Sequence, residues 1–197
     1  MDITKIFAAR RSIYSLNNKC SISQTEIDKL VENCLKQAPS AFNSQSARLL
    51  ILYGDSYQKL WKQTLDILKP LTPPDKFSHT TEKINSFRQG IGTILFFEDA
   101  DIVQNLQQKY PLYADNFSKW SIQSNAMLQY MIWTAFAANN IGASLQHYNP
   151  LIDTMVQKEF STPKTWELNA QMPFGGIDHP ALPKIFEPIS NRLKILS

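Results

Sequence analysis

Cysteine is scarce in this chain: Cys20 and Cys34 are the only two in 197 residues, and they form neither a CxxC pair nor a disulfide framework. A secreted, disulfide-stapled scaffold is thereby excluded, and a reducing cytoplasm is the expected compartment. Histidine is no richer. His79, His147 and His179 are scattered, without zinc-type spacing to cysteine or to one another. Gly90 and Gly92 precede an apolar run instead of following one, and no Gly-Lys-Ser/Thr closes the segment. A phosphate loop is therefore rejected, and no nucleophile elbow occurs. Charge of one sign never accumulates. No run of five like charges appears, and a net charge of +3 is too weak and dispersed to expect a nucleic-acid partner. Long apolar runs are missing too. Ala126–Ala138 is interrupted by Gln129 and Thr134, and the first residues, Met-Asp-Ile-Thr-Lys-Ile-Phe, contain no signal-peptide h-region. The expectation is a soluble, cytoplasmic protein with no membrane partner.

What is present suffices for a core. Apolar residues at 43% and charged residues at 19% are globular values, and the length fits one domain spanning residues 1–197. Ile3, Ile6 and Phe7 mark one side of a short helix ending near Arg10-Arg11-Ser12. Ser23 and Glu26 form a capping box, followed by Ile27, Leu30, Val31, Cys34, Leu35 and Ala38 at helical spacing. Arg48–Tyr53 reads as a strand, and Gly54-Asp55 as a turn before a helix that stops at Pro70. A helix is expected over Phe77–Arg88, and a buried strand over Thr93–Phe97. A short helix over Asp99–Lys109 precedes the longest helical pattern, Asp115 to Asn140, which Gly142 is placed to end as its left-handed residue. Ala143–Tyr148 and Trp166–Pro173 read as strands, separated by a helix from Pro150 to Phe160, and Phe174-Gly175-Gly176 reads as a turn. The prolines at 180, 183 and 188 make the tail extended as far as Arg192. A helical majority around a few strands gives an α+β fold with one sheet.

Three basic or amide-rich points lie beside element ends: Arg10-Arg11-Ser12, Asn43-Ser44-Gln45 and Arg192-Leu193-Lys194. The middle one belongs to a polar loop, Pro39 to Gln45, that runs into the apolar stretch Arg48–Tyr53. Its amides and hydroxyls suit a heterocycle with alternating donors and acceptors. Proline, serine and asparagine are also ordinary turn residues, so a plain helix-to-strand turn accounts for the same residues. Arg10 and Arg11 similarly serve the C-terminal dipole of the first helix as well as they would serve a bound anion.

Taken together, Arg10-Arg11-Ser12, Pro39-Ser40-Ala41-Phe42-Asn43-Ser44-Gln45 and the late Arg192 resemble the nitroreductase family of FMN-dependent oxidoreductases. The run Gly92-Thr93-Ile94-Leu95-Phe96-Phe97-Glu98-Asp99 is similar to a short branch of that family, which includes fungal proteins tied to fatty-acid-responsive regulation and bacterial stress-induced nitroreductases. The resemblance implies a mostly antiparallel sheet flanked by helices, with the long core helix at a homodimer interface. It implies that Arg10, Arg11 and Ser12 hold the FMN phosphate and ribityl chain, and that Arg192, with Lys194, completes the clamp. Ser40, Asn43 and Gln45 would approach the flavin from the partner subunit, and Gln146 and His147 would lie against the isoalloxazine. His147 departs from the glycine common there, Tyr14 stands where relatives are often basic, and Ser46-Ala47 replaces the usual Pro-Trp. The implied activity is ping-pong hydride transfer from NADH or NADPH to nitroaromatics, quinones or similar planar acceptors, with no protein general acid. The alternative implied by the same branch is a flavin-binding regulatory or stress-response protein with incidental turnover.

Overall fold

The computed structural model describes residues 2–196. Its helices are α1 (Ile3–Ala9), α2 (Gln24–Gln37), α3 (Gly54–Leu68), α4 (Phe77–Arg88), α5 (Ala100–Lys109), α6 (Ala114–Ala138) and α7 (Asp153–Phe160). The strands are β1 (Leu16–Asn17), β2 (Ala47–Tyr53), β3 (Gly92–Asp99), β4 (Gly142–Ala143) and β5 (Trp166–Ile177). They form one antiparallel sheet in the order β1-β5-β3-β2, with β4 also paired to β5. This is the α+β architecture expected, an antiparallel sheet between helices.

The apolar run of β3 is explained by burial on both sides. Ile94 and Phe96 join a core with Ile27 and Val31 of α2 and Leu128, Ile132 and Phe136 of α6. Leu95 and Phe97 point the other way, into a core with Tyr57, Leu60 and Trp61 of α3, Ile84 and Phe87 of α4 and Val156 of α7. Alternation along a strand places successive side chains in different cores, so both sets must be apolar. Among the described residues, no helix is long and apolar enough to cross a membrane.

Local chemistry sets the ends of several elements. The capping box at α2 is complete: Glu26 N donates to Ser23 Oγ at 3.3 Å, and Ser23 N donates to Glu26 Oε2 at 2.8 Å. Gly54 is the first residue of α3 and has φ +53°, so the turn expected there is compressed into one left-handed residue. Asn140, φ 55°, takes the left-handed position after α6, which leaves Gly142 free to enter β4. Phe174-Gly175-Gly176 does not turn; it continues β5 and pairs with β1, and the chain just beyond β1 passes so closely that a Cβ on Gly176 would collide with the Lys19 carbonyl oxygen. Beyond Ala143 the expected strand shrinks to one bridge between Gln146 and Gln171, and α7 begins at Asp153 instead of Pro150.

Candidate functional site

The first cluster forms where α1 ends. Arg10 leaves the helix in extended geometry, and the chain then docks on β4: Ile13 N donates to Ala143 O at 2.9 Å. Trp133 of α6 donates its Nε1 to the same oxygen at 3.1 Å, which fixes the indole behind the loop. The Arg10 guanidinium lies over that indole, 4.3 Å from the ring centroid, and over Tyr130 at 6.0 Å. Its Nε is buried without a hydrogen-bond partner. Arg11 instead donates to Leu182 O at 2.5 Å, tying the C-terminal tail to this loop. Arg10, Arg11, Ser12, Tyr14, His179 and Lys184 help to line a cavity of about 580 Å³, within the range of small-molecule sites. Among the described residues no carboxylate pairs with the Arg10 guanidinium; stacked on an indole and sharing a cavity with the Ser12 hydroxyl, it is a donor set that fits a phosphate.

Ser15 and His179 line this cavity and with Asp178 make an arrangement resembling a nucleophilic triad, but the geometry rules that out. Both Ser15 Oγ, at 3.0 Å, and Asp178 Oδ2, at 2.8 Å, approach the same ring nitrogen, Nδ1. A relay needs the two ring nitrogens for its two partners.

The second cluster is the polar loop. Phe42, Asn43 and Gln45 all have left-handed backbones, with φ of 56°, 52° and 48°. The Ser40 hydroxyl braces the turn by accepting from Gln45 N at 2.9 Å, and Arg48 Nη1 donates to Gln45 O at 2.8 Å. Ser40 and Gln45 line a second cavity of about 360 Å³ with Glu32, Lys36, Arg48 and Ser124. Asn43 is exposed beside it. Phe42, also exposed, packs against Tyr110, Tyr113, Phe117 and Trp120 with ring centroids 4.8–6.1 Å apart. Arg48 and Phe42 were not among the residues expected from sequence, because no local pattern signals a left-handed phenylalanine; Phe117 and Trp120, near the start of the long helix, read from sequence as a cover for a flavin slot or, better, as core packing.

The remaining expected residues are placed unevenly. Gln146 is buried, with its main chain paired to Gln171 and its Nε2 donating to Ser144 Oγ at 3.0 Å. Its loop continues from β4, to which Ser12 is bridged, so Gln146 and Arg10-Ser12 are on one side of the molecule. His147 next to it is exposed. Arg192 and Lys194 lie on the exposed tail and line neither cavity. The two cavities share no lining residue, so Arg10-Arg11-Ser12 and Ser40 with Gln45 lie at separate places within one chain.

Burial and the neighbouring Tyr14 push the Tyr148 hydroxyl up to about 12. Burial likewise raises the Cys20 and Cys34 thiols, which makes both poor nucleophiles.

Comparison with known proteins places the chain. Residues 7–176 match the model of the Nitroreductase family. HBN1 of Saccharomyces cerevisiae is 30% identical over 173 residues, covering 87% of this chain and 86% of that protein. The nitroreductase CinD of Lactococcus lactis, solved in complex with chloramphenicol, superposes over the full length of both chains with a TM-score of 0.91 and 39% identity. An FMN-bound nitroreductase from Desulfitobacterium hafniense shares the fold over the full length of both chains, with a TM-score of 0.75 and 16% identity. Fold, motif positions and full-length likeness agree: the chain belongs to the nitroreductase family.

Proposed function

We propose that the protein is a homodimeric, FMN-dependent oxidoreductase that draws on NADH or NADPH and reduces nitroaromatic, quinone or similar planar acceptors in a ping-pong cycle. The observation that carries this reading is Arg10, a guanidinium stacked on Trp133 with a buried, unpartnered Nε, in a residue that lines the same cavity as Ser12. An unsatisfied buried donor is costly, and the guanidinium that carries it belongs to a residue lining the cavity, where an anion would offset its charge. Arg10, Arg11 and Ser12 hold the phosphate and ribityl chain, and Arg192 with Lys194 closes over them. Gln146 and His147 flank the ring. When bound, FMN supplies hydride transfer at N5, so the protein needs to bind, orient and exclude water more than to move protons.

A second copy of the chain supplies Ser40, Asn43 and Gln45. Two features support it. The halves of the site are separate within one chain, and the tail exposes Leu182, Ile185, Phe186, Leu193 and Ile195, too much apolar surface to leave in water. Exposed Ile122, Met127 and Tyr130 support extending that interface to the outer face of α6. Two unpaired cysteines accord with a reducing cytoplasm.

The deciding experiment is the visible spectrum of the purified protein, with the flavin identified after denaturation, followed by turnover with a panel of nitro and quinone acceptors. A yellow protein that releases one FMN per chain and exceeds the rates of free FMN supports the reading. Bound FMN with rates no better than free FMN points to the regulatory alternative, and no uptake of FMN overturns both.

A further inference from the structure

Three non-glycine residues in the left-handed region within four positions, Phe42, Asn43 and Gln45, make the loop before β2 a strained segment. Each such residue costs on the order of 1 kcal/mol, so the turn persists only if its surroundings over-determine it. Most of its bonds are internal. Asn43 N and Ser44 N donate to Ser40 O and Ala41 O at 2.9 and 3.1 Å, and Gln45 N donates to Ser40 Oγ at 2.9 Å. These satisfy the amides of Asn43, Ser44 and Gln45 but leave the Gln45 carbonyl, two residues before the strand begins at Ala47.

That carbonyl is held from outside the turn. Arg48 Nη1 donates to it at 2.8 Å and to Ala47 O at 3.0 Å. Nη2 of the same guanidinium pairs with Asp99 Oδ2 at 3.1 Å. Asp99 is fixed in turn, because its N–H donates to Ser46 O at 2.9 Å, closing the end of the β2–β3 ladder. The Arg48 and Asp99 side chains are only 29% and 14% exposed, so the pair is shielded in a way that free surface ion pairs are not. The planar fork makes both connections at once. A lysine ammonium, one point charge on a flexible stem, does not reproduce them.

We propose that Arg48 is a positioning residue: backed by Asp99, it grips the Gln45 carbonyl and keeps the left-handed turn in the orientation from which Gln45 reaches the flavin bound by the partner subunit. This rests on the flavin-binding reading above and adds a residue to it. Arg48 lines the same cavity as Gln45, but its Nη1 and Nη2 are engaged by Gln45 O, Ala47 O and Asp99 Oδ2. It acts through Gln45.

The test is a two-background titration of FMN into flavin-depleted full-length protein, followed by quenching of flavin fluorescence. Arg48→Met keeps the aliphatic stem and removes the fork; it should weaken FMN binding about 10-fold in the native background. On a Gln45→Ala background the same substitution should add less than about twofold, because the group through which it acts is gone. Arg48→Lys should rescue only partly. Equal losses in both backgrounds, or no loss in the native one, overturn the proposal. Should Arg48→Met not fold, Asp99→Asn is judged by the same comparison and the same outcomes. A parent protein that takes up no FMN fails at the first titration, which separates failure of the flavin reading from failure of the Arg48 assignment.

Discussion

The Arg10 guanidinium rests on the face of Trp133, 4.3 Å from its centroid, while Trp133 itself is pinned through Nε1 to Ala143 O, the oxygen that also accepts from Ile13 N. One carbonyl thus aligns the aromatic platform and the loop that carries the charge. Replacing Arg10 with Met should lower FMN affinity by about 30-fold, the equivalent of a lost charge-assisted hydrogen bond of roughly 2 kcal/mol. The flavin-free protein should behave in the opposite sense, since the variant also removes a buried, unpartnered Nε. Thermal melts with and without FMN check both signs: the variant's flavin-free Tm stays level or rises, while the gain on adding FMN shrinks. Full retention of that gain would remove Arg10 from the clamp.

How much of this was legible in the sequence depends on how local each cause is. The α2 capping box is written within four residues, and the β3 run announces burial on two faces. β1 left no such trace, because a two-residue strand exists only through pairing with Ile177 and Gly176 at the far end of the chain. Glycines misled for a physical reason. Gly142, Gly175 and Gly176 permit close packing of neighbouring strands rather than turns, and Asn140 performs the helix-ending role assigned to Gly142. At the candidate site, Arg10-Arg11-Ser12 and Ser40-Gln45 were visible as residue types. Their separation into two cavities was not, nor was Arg48, whose importance comes from Asp99 across the β2–β3 ladder.

Glu98 should make stability depend on pH in a direction unusual for a carboxylate. It is 3% exposed, its Oε1 accepts from Asn125 Nδ2 at 2.8 Å, and its Oε2 is buried without a partner. Burial raises its pKa above the ordinary 4.5, outweighing hydrogen bonds from Ser46 and Asn125 and the nearby Arg48 charge. With the folded pKa above the unfolded one, the native state binds the proton more tightly. Stability contributed by this group is therefore present in acid and is lost as pH rises from the unfolded pKa through the folded one. Glu98→Gln keeps the acceptor for Asn125 and cannot ionise. Urea unfolding at pH 4 and pH 8 should show the variant gaining on the parent at the higher pH. A difference that does not change with pH would contradict the burial argument.

Between the sheet and α3, Trp61 Nε1 donates to Thr93 Oγ1 at 2.8 Å, and both residues are fully buried. Thr93→Val preserves shape but leaves an indole N–H with nothing to bond, a cost of about 2 kcal/mol. Thr93→Ser retains the hydroxyl and loses one methyl, which costs about 1 kcal/mol. The order Val below Ser below parent in urea midpoint, at constant m-value, distinguishes a hydrogen-bond penalty from a cavity penalty. A larger loss for Ser than for Val would reverse that assignment.

The tail provides the sharpest check on the proposed dimer. Ile185 is 95% exposed and Phe186 72% exposed, and Arg192 and Lys194 follow them outside both cavities. If a second copy covers this segment, ending the chain after Lys184 removes apolar contacts between copies while leaving both cores untouched, since neither core includes a residue beyond 184. Light scattering after size exclusion should then report a dimer for the parent and a monomer for the truncation, with far-ultraviolet circular dichroism unchanged. FMN affinity should fall further than for Arg192→Ala alone, because the truncation removes both the clamp and the alignment of the two half-sites. A truncated chain that remains dimeric with full affinity would assign the interface to the exposed face of α6 and leave the tail without a part in it.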